Sequence, residues 1–584
     1  MKFDIAFVTY NSTKWLEKNL RSILASKYDL KNISLYYFDN ASTDDTVAVL
    51  TELKEKYEKK FNEFKIVAGK KNKGFGYGSN KAAKLGHGDY VFFLNVDTEI
   101  CSDTFSKLEE AIKSSSDEVG IFELKQEPYE HPKFYDPITG YTSWASGACM
   151  IMPRFLFKKT KGFDKNIFMY CEDVDLSWHV AKLGYKIKYL FNIPITHYSY
   201  EGPVGFKENS YIYGYINNLY LRCKYSKLRK IVRGHLTIFN AFRYNIAHKF
   251  VTNEEYKKIR NKMFKKYIAM MPKRVWVYLK STLSFSKHKF QVKYYDEICY
   301  EVAKLDPFYT VQTMKEYPLV SVLVRTCGRP AMLRETLISL RNQTYPNVEV
   351  VVVEDGKNIS EKMIKEEFKD LNIVYQATGE KVGRSKAGNL AMEIAHGKYL
   401  NFLDDDDLFF PEHVSVLVNE MEKNNAYVTY ATAFETPIII ESKDPYIYHI
   451  TDKVIRYHGN FSKIDLYKNN ITPIQAVMFR KEVFENCGGF DTSIDALEDW
   501  DLWINFSLKY YFYHTERTTS LYRVPANQTI SQERQNFLNS SLKYIMQKHA
   551  NDKIELSPAD IYYLYNKKED WFYGRLNNSN CSLL

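Results

Sequence analysis

Hydrophobic positions near the N-terminus follow two rhythms. Ile5 to Thr9 is an almost continuous apolar run, which predicts a short buried strand, and Asn11-Ser12-Thr13 then offers a helix N-cap. Trp15, Leu16, Leu20, Ile23 and Leu24 follow at helical spacing and predict one apolar helix face. The same succession returns at Val320. Val-Ser-Val-Leu-Val predicts a strand, Arg325 to Pro330 a turn, and Leu333, Leu337 and Leu340 an apolar helix stripe. Each half then gives a second apolar strand ending in an acid: Ile33 to Phe38 before Asp39, and Val348 to Val353 before Glu354 and Asp355. Continuous apolar strands alternating with amphipathic helices predict an α/β fold, a parallel sheet covered on both faces.

The repeat keeps its register further along. Gly74 precedes Asn80 by six residues and Asn80 precedes Asp97 by seventeen; Gly383, Asn389 and Asp406 show the same six and seventeen. Both aspartates follow an apolar strand, Tyr90 to Leu94 and Tyr399 to Leu403. A later block also recurs, Gly162-Phe163-Asp164 with Glu172-Asp173-Val174-Asp175-Leu176 against Gly489-Phe490-Asp491 with Glu498-Asp499-Trp500-Asp501-Leu502. Self-similarity over whole units places one domain at 1–205, a second at 316–530, a mostly helical linker at 206–315 and a helical C-terminal cap at 531–584.

A length of 584 residues accommodates this organisation, and 45% hydrophobic with 26% charged residues is the balance of a folded chain. Charge is unevenly placed. Arg222 to Lys293 holds 20 Lys and Arg against two acids, Glu254 and Glu255, a net of +18, while the rest is net −8. The eight cysteines show no metal or redox spacing, so no zinc site or disulfide framework is indicated. Asp4 interrupts the apolar run that a signal peptide needs, and no window of 18 uncharged apolar residues occurs. The chain is therefore expected in the cytosol.

Acids at the carboxyl ends of parallel strands lie where open α/β sheets bind ligands. Asn95-Val96-Asp97 and Asp404 to Asp407 cluster oxygen ligands that suit Mg²⁺ or Mn²⁺ held jointly with a diphosphate. Neither half shows a dense Lys/Arg turn to neutralise a leaving diphosphate instead. Glu172-Asp173 and Glu498-Asp499 open helices, and their recurrence marks them as general-base candidates that take a proton from an attacking hydroxyl. Lys73, Gly74 and Arg384 suit phosphate approach; there is no P-loop and no G-x-G-x-x-G.

These residues resemble glycosyltransferase family 2 with the GT-A fold. The first half carries the likeness in Val8-Thr9-Tyr10-Asn11, Asp39 to Asp44, the Asn72 to Asn80 turn, Leu94 to Asp97 and Phe168 to Leu176, and is closest to rhamnosyltransferase-like members. The second half carries it in Val324-Arg325-Thr326, Val353 to Gly356, Phe402 to Asp407 and Glu498 to Trp503. The resemblance implies two GT-A domains and inverting transfer from UDP- or dTDP-sugars with Mn²⁺ or Mg²⁺. It implies Asp173 and Asp499 as bases beside Glu172 and Glu498. Asp39 and Asp355 would bind the pyrimidine with Thr9 and Thr326 beside it, and Asn11, Lys73, Gly74, Asn80, Gly383, Arg384 and Asn389 would shape the donor pocket. Asn95, Asp404 and Asp405 would lie near ribose and diphosphate, and Asp97, Asp406 and His197 near the metal. Asn95 stands where many members have Asp, and His179 and Asn505 where the family often has Arg.

The expectation is a bifunctional enzyme adding two sugars to a lipid-linked bacterial surface glycan at the inner face of the cytoplasmic membrane, the basic segment meeting anionic lipid. Three alternatives stand beside it: a two-site processive polymerase, a half that only binds sugar, and nucleic-acid binding through the basic segment. No RRM, KH, helix-turn-helix or zinc pattern accompanies that segment, so no nucleic-acid partner is expected.

Overall fold

The computed structural model describes residues 1–198, 208–243, 252–283, 304–527 except 444 and 495, 541–556, and the single positions 538, 558 and 561. The chain forms two compact units that divide between Glu301 and Val302.

In the first unit the strands are β1 (Phe3–Thr9), β2 (Ile33–Asp39), β3 (Glu63–Ala68), β4 (Tyr90–Leu94), β5 (Thr98–Ile100), β6 (Val119–Glu127), β7 (Tyr141–Thr142), β8 (Cys149–Pro153) and β9 (Lys186–His197). Its helices are α1 (Thr13–Leu24), α2 (Thr46–Tyr57), α3 (Phe75–Ala83), α4 (Thr104–Lys113), α5 (Arg154–Thr160), α6 (Glu172–Lys182), α7 (Glu208–Tyr225), α8 (Leu228–Arg243), α9 (Asn253–Ala269) and α10 (Met271–Leu283). The sheet order is β3-β2-β1-β4-β8-β6-β9-β5, with β7 on β9. Strands β3, β2, β1 and β4 are parallel, as the apolar runs predict. Beyond β4 the sheet is mixed, because β8 returns antiparallel on β4 and β5 antiparallel on β9.

The second unit repeats the plan with β10 (Val320–Thr326), β11 (Val348–Glu354), β12 (Ile373–Ala377), β13 (Tyr399–Phe402), β14 (Leu408–Phe409), β15 (Val428–Lys443), β16 (Tyr446–Ile450), β17 (Val454–Tyr457), β18 (Val477–Arg480) and β19 (Phe512–Pro525). Its helices are α11 (Pro330–Arg341), α12 (Glu361–Glu367), α13 (Arg384–Ile394), α14 (His413–Lys423), α15 (Lys463–Lys468), α16 (Lys481–Cys487) and α17 (Glu498–Ser507). The order β12-β11-β10-β13-β18-β15-β19-β14 matches the first sheet strand for strand, and β16 and β17 are added on β15. Both units are α/β domains built on one sheet plan.

Burial on both sheet faces explains the unbroken apolar strands. Phe3, Ile5 and Phe7 enter one core while Ala6 enters the other, and in the second unit Val320, Val322 and Val324 are separated from Leu323 in the same way. Ser12 is the N-cap residue of α1, as predicted, yet its hydroxyl accepts from the Tyr10 amide at 3.1 Å and makes no bond to the helix.

The segment expected as a linker over 206–315 is different in kind. Helices α7 to α10 share a core with Ile167, Val174 and Trp178, so they cover the back of α6 in the first unit. Of the expected C-terminal cap, 541–548 is helical, and most of 531–540 and 557–584 lies outside the described residues.

Candidate active sites

Each unit gathers its predicted residues at the carboxyl ends of the parallel strands. In the first, Asp39 is buried at the end of β2. Thr9 at the end of β1 donates its hydroxyl to Asp39 Oδ1 at 2.9 Å, and Ser42 donates its amide to Oδ2 at 2.9 Å. Asn11 links the two neighbouring loops, its Oδ1 accepting from the Thr43 amide at 2.8 Å. The next residue, Asn40, holds the Gly74 loop: Asn40 Oδ1 accepts from the Lys73 amide at 3.0 Å, and its Nδ2 donates to Gly74 O at 3.1 Å.

Strand register corrects the pairing of Asp39 with Asp355. Thr9 stands opposite Asp39, whereas Thr326 stands opposite Glu354, so the counterpart of Asp39 is Glu354 and that of Asp355 is Asn40. Glu354 is fully buried and accepts from the Ser360 amide at 2.9 Å and the Tyr375 hydroxyl at 2.5 Å. Asp355 does the work of Asn40, accepting from the amides of Val382 at 2.6 Å and Gly383 at 3.1 Å. Thr326 donates its hydroxyl to Asp405 at 2.6 Å, where Thr9 donates to Asp39.

Asn80 and Asn389 each hold a matching turn. The Asn80 amide brackets Phe163, donating to its carbonyl at 2.9 Å and accepting from its amide at 2.9 Å. Asn389 brackets Phe490 in the same way at 3.0 and 2.7 Å. A Cβ on Gly162 would lie 2.0 Å from Asn80 Oδ1, and one on Gly489 2.2 Å from Asn389 Oδ1. The matched spacing of these asparagines therefore records a clasp on the Gly-Phe-Asp turn.

Gly74 and Gly383 precede α3 and α13 with φ of +94° and +95°, a conformation open only to glycine. A Cβ at Gly74 would lie 2.0 Å from Phe168 O, while one at Gly383 would meet nothing within 4 Å. Gly383→Ala should therefore lose roughly 1–3 kcal/mol from backbone strain alone, and Gly74→Ala more, because it also displaces the loop leading to Glu172. Chemical denaturation of the two variants compares them; equal losses would show that the Phe168 loop yields freely.

The acid pairs start α6 and α17, where helix amides favour carboxylates. Asp173 is half-buried; its Oδ2 accepts from the Gly147 amide at 3.0 Å and its Oδ1 from the Val174 amide at 2.8 Å. Asp499 is equally half-buried, accepting from Asn470 Nδ2 at 2.9 Å and the Trp500 amide at 2.8 Å. Burial raises Asp173, and burial with the neighbouring Glu498 charge pushes Asp499 up to about 7. A carboxylate raised in this way takes up a proton more readily at neutral pH.

The preceding glutamates differ. Glu172 Oε2 is buried without a hydrogen-bond partner, and burial with the Asp173 charge pushes its carboxyl up to about 8. Glu498 instead lies 3.1 Å from Arg325 and 3.7 Å from Arg384. Arg325 occupies the strand position of Val8, and Arg384 the helix-start position of Phe75.

Arginines also meet the four aspartates, contrary to the expectation that neither half has a dense basic turn. Arg325 forks onto Asp404 with both contacts at 2.8 Å. Burial pushes Asp404 up, but Arg325 outweighs it and holds the carboxyl below its ordinary range. Arg329 binds Asp405 and lies 3.3 Å from Asp406, and the Arg523 amide donates to Asp407 at 2.9 Å. In the first unit Asn95, near this strand end, accepts through its carbonyl from Thr98 Oγ1 at 2.7 Å. Asp97 faces His197 Nε2 at 3.4 Å, and His197 Nδ1 lies 2.7 Å from Gln126 Oε1. The register that places His197 opposite Thr98 brings Tyr522 to the corresponding place in the second unit.

Among the described residues, no three or more His, Cys, Asp or Glu side chains converge to hold a metal. The Asp97–His197 pair fits a divalent cation completed by ligand oxygens. At Asp406 a cation would share the carboxylate with Arg329.

Two lysines were missed. Lys224 in α7 joins Asp164 at 3.0 Å to Asp175 at 2.7 Å; Lys548 joins Asp491 at 2.8 Å to Asp501 at 2.9 Å. Each ties the Gly-Phe-Asp turn to the helix that carries the acid pair. Their one trace in the sequence is separation: Lys224 and Lys548 lie 49 and 47 residues beyond Asp175 and Asp501. Of the residues noted as departures, Asn505 donates to Asp501 at 3.4 Å, and burial lowers His179.

Glycosyl transferase family 2 matches residues 4–174 and 321–488. These segments cover more than half of the chain, one in each unit, and the chain belongs to that family. Over 195 residues it is 28% identical to an uncharacterized glycosyltransferase of Rickettsia bellii, covering 32% of this chain and 27% of that protein. It is 26% identical over 215 residues to an uncharacterized glycosyltransferase of Haemophilus influenzae, covering 34% and 70%. A protein of Escherichia coli named for colanic acid biosynthesis, the glycosyl transferase WcaA, is 26% identical over 200 residues, covering 34% and 69%. Among solved structures, residues 1–349 of S. aureus TarS in complex with UDP-GlcNAc superpose with a TM-score of 0.33 at 19% identity, covering 48% of this chain and 84% of that one.

Proposed function

We propose that the chain is a bifunctional inverting glycosyltransferase that adds two sugars from UDP- or dTDP-sugar donors to a growing, lipid-linked bacterial surface polysaccharide. The observation that carries this reading is the acid pair at the head of α6 and again of α17, each with a half-exposed aspartate whose proton affinity is raised. In each site the aspartate takes the proton of an acceptor hydroxyl as that oxygen bonds to the anomeric carbon. The bond from that carbon to the diphosphate oxygen breaks, and the electron pair leaves with the nucleoside diphosphate. The raised proton affinity of Glu172 favours a single negative charge in its pair with Asp173, whereas Glu498 is ion-paired with Arg325 and Arg384.

A bound Mn²⁺ or Mg²⁺ would supply positive charge opposite the leaving diphosphate, held by Asp97 and His197 in the first site and by Asp406 in the second. Chelator should stop both transfers and either metal restore them, with the second site needing the higher concentration because Arg329 already sits on Asp406. Undiminished transfer in excess chelator would sink metal dependence for that site.

Two different donors are supported by the different residues at matching positions in the two units, Val8 and Phe75 in one and Arg325 and Arg384 in the other. A panel of UDP- and dTDP-sugars, tested with each half inactivated in turn, checks this. One donor serving both sites, with a broad product length distribution, would favour the processive polymerase instead.

A further inference from the structure

Among the described residues no helix is long and apolar enough to cross a membrane. Helices α8, α9 and α10 nevertheless carry more apolar surface than their core requires. In α8 the inward face is Ile231, Ile238 and Ala241, all buried. Leu228, Val232, Leu236 and Phe239 form a second apolar stripe at intervals of four, four and three residues, and all four are exposed, Leu236 by 58%. In α9 the buried face is Tyr256, Ile259, Met263 and Tyr267, and exposed Phe264 and Ile268 stand apart from it. Ring contacts join both Phe239 and Phe264 to Tyr267, so the two stripes adjoin. In α10 exposed Met271, Val275 and Trp276 continue the spacing, Trp276 at 67% exposure.

Positive charge accompanies these stripes. Arg229 and Arg233 of α8, Lys257, Lys258 and Lys265 of α9, and Lys273 of α10 are exposed. The two acids of the segment sit at the start of α9, where Glu255 is held in a capping box with Thr252. Tyr244, Phe250 and Phe285, which the sequence places in the same aromatic and basic pattern, lie outside the described residues.

We infer that this face of α8, α9 and α10 docks the protein on an anionic lipid bilayer. Exposed apolar stripes bordered by Lys and Arg match the boundary between acyl chains and acidic headgroups, and the one-sided charge selects that surface over a neutral one. The inference deepens the lipid-linked acceptor of the proposed function. Docking is measured without donor or acceptor, so its failure would leave the transferase reading untouched.

The test uses the full chain with vesicles of phosphatidylcholine alone or mixed with phosphatidylglycerol. Partition onto the mixed vesicles should exceed that onto phosphatidylcholine by at least about tenfold and fall as salt is raised. Leu236→Gln with Phe239→Gln, and separately Lys257→Gln, Lys258→Gln and Lys265→Gln together, should each lower it by about tenfold, with melting unchanged because these side chains are exposed. Equal partition to both vesicles, no binding, or binding that survives both sets of substitutions would overturn the inference. A dimer that dissociates on Leu236→Gln with Phe239→Gln, without vesicle binding, would overturn it and assign the face to a second copy of the chain.

Discussion

Asp173→Asn should reduce transfer at the first site by roughly 10²–10⁴-fold while the second site continues, and Asp499→Asn should do the reverse. Asparagine keeps the shape and one of the two hydrogen bonds that each aspartate accepts, but it cannot take the acceptor's proton. The two transfers must be followed with separate donors, because a total rate would hide the loss of one. A second readout is pH. A general base works in its deprotonated form, so kcat/KM at the second site should rise with pH up to about 7, where Asp499 is held, and Asp499→Asn should flatten that limb. Full activity of both single variants with every donor would remove these aspartates from the mechanism.

Arg325→Met is expected to have the largest effect on stability. It leaves the fork on Asp404 empty and deprives buried Glu498 of its nearest cation, which lies 3.1 Å away. Removing one partner of a buried ion pair destabilises by about 3–5 kcal/mol, because the remaining charge is left in a poorly solvated place. Arg325→Lys should recover little, since one ammonium cannot span both Asp404 oxygens and also reach Glu498. Calorimetry of the full chain should show one transition moving down while the other stays, and an unchanged profile would mean that these carboxylates are solvated without Arg325.

The twofold plan was legible because its signals are local. A strand buried on both faces must be apolar throughout, so β1, β2, β10 and β11 stand out as short unbroken runs, and the spacing from Gly74 to Asp97 recurs from Gly383 to Asp406. The acid pairs were legible for the same reason, as they lie eight and seven residues beyond the aspartate of Gly-Phe-Asp. Spacing alone, however, did not show which backbone Asn80 and Asn389 hold. A recurring residue marks a recurring contact, and here the contact is with the backbone of Phe163 and Phe490.

The sequence by itself determined the strand and helix succession, the repeat, and which carboxylates gather at the strand ends, since each follows from periodicity within a few turns of chain. Tertiary structure alone decided what those carboxylates face. Arg325 meets Asp404 across 79 residues and Glu498 across 173, contacts that exist only because β13 pairs beside β10 and α17 returns to the same edge. One step of strand register made Glu354, rather than Asp355, the counterpart of Asp39, and Val-Val-Val-Val before two acids carries nothing that sets that step. The basic segment likewise looked like a linker, because charge and aromatic content describe a helix's outer face equally well whether or not its inner face is packed. Burial of Ile231, Ile238 and Met263 against Val174 and Trp178 made it part of the first unit.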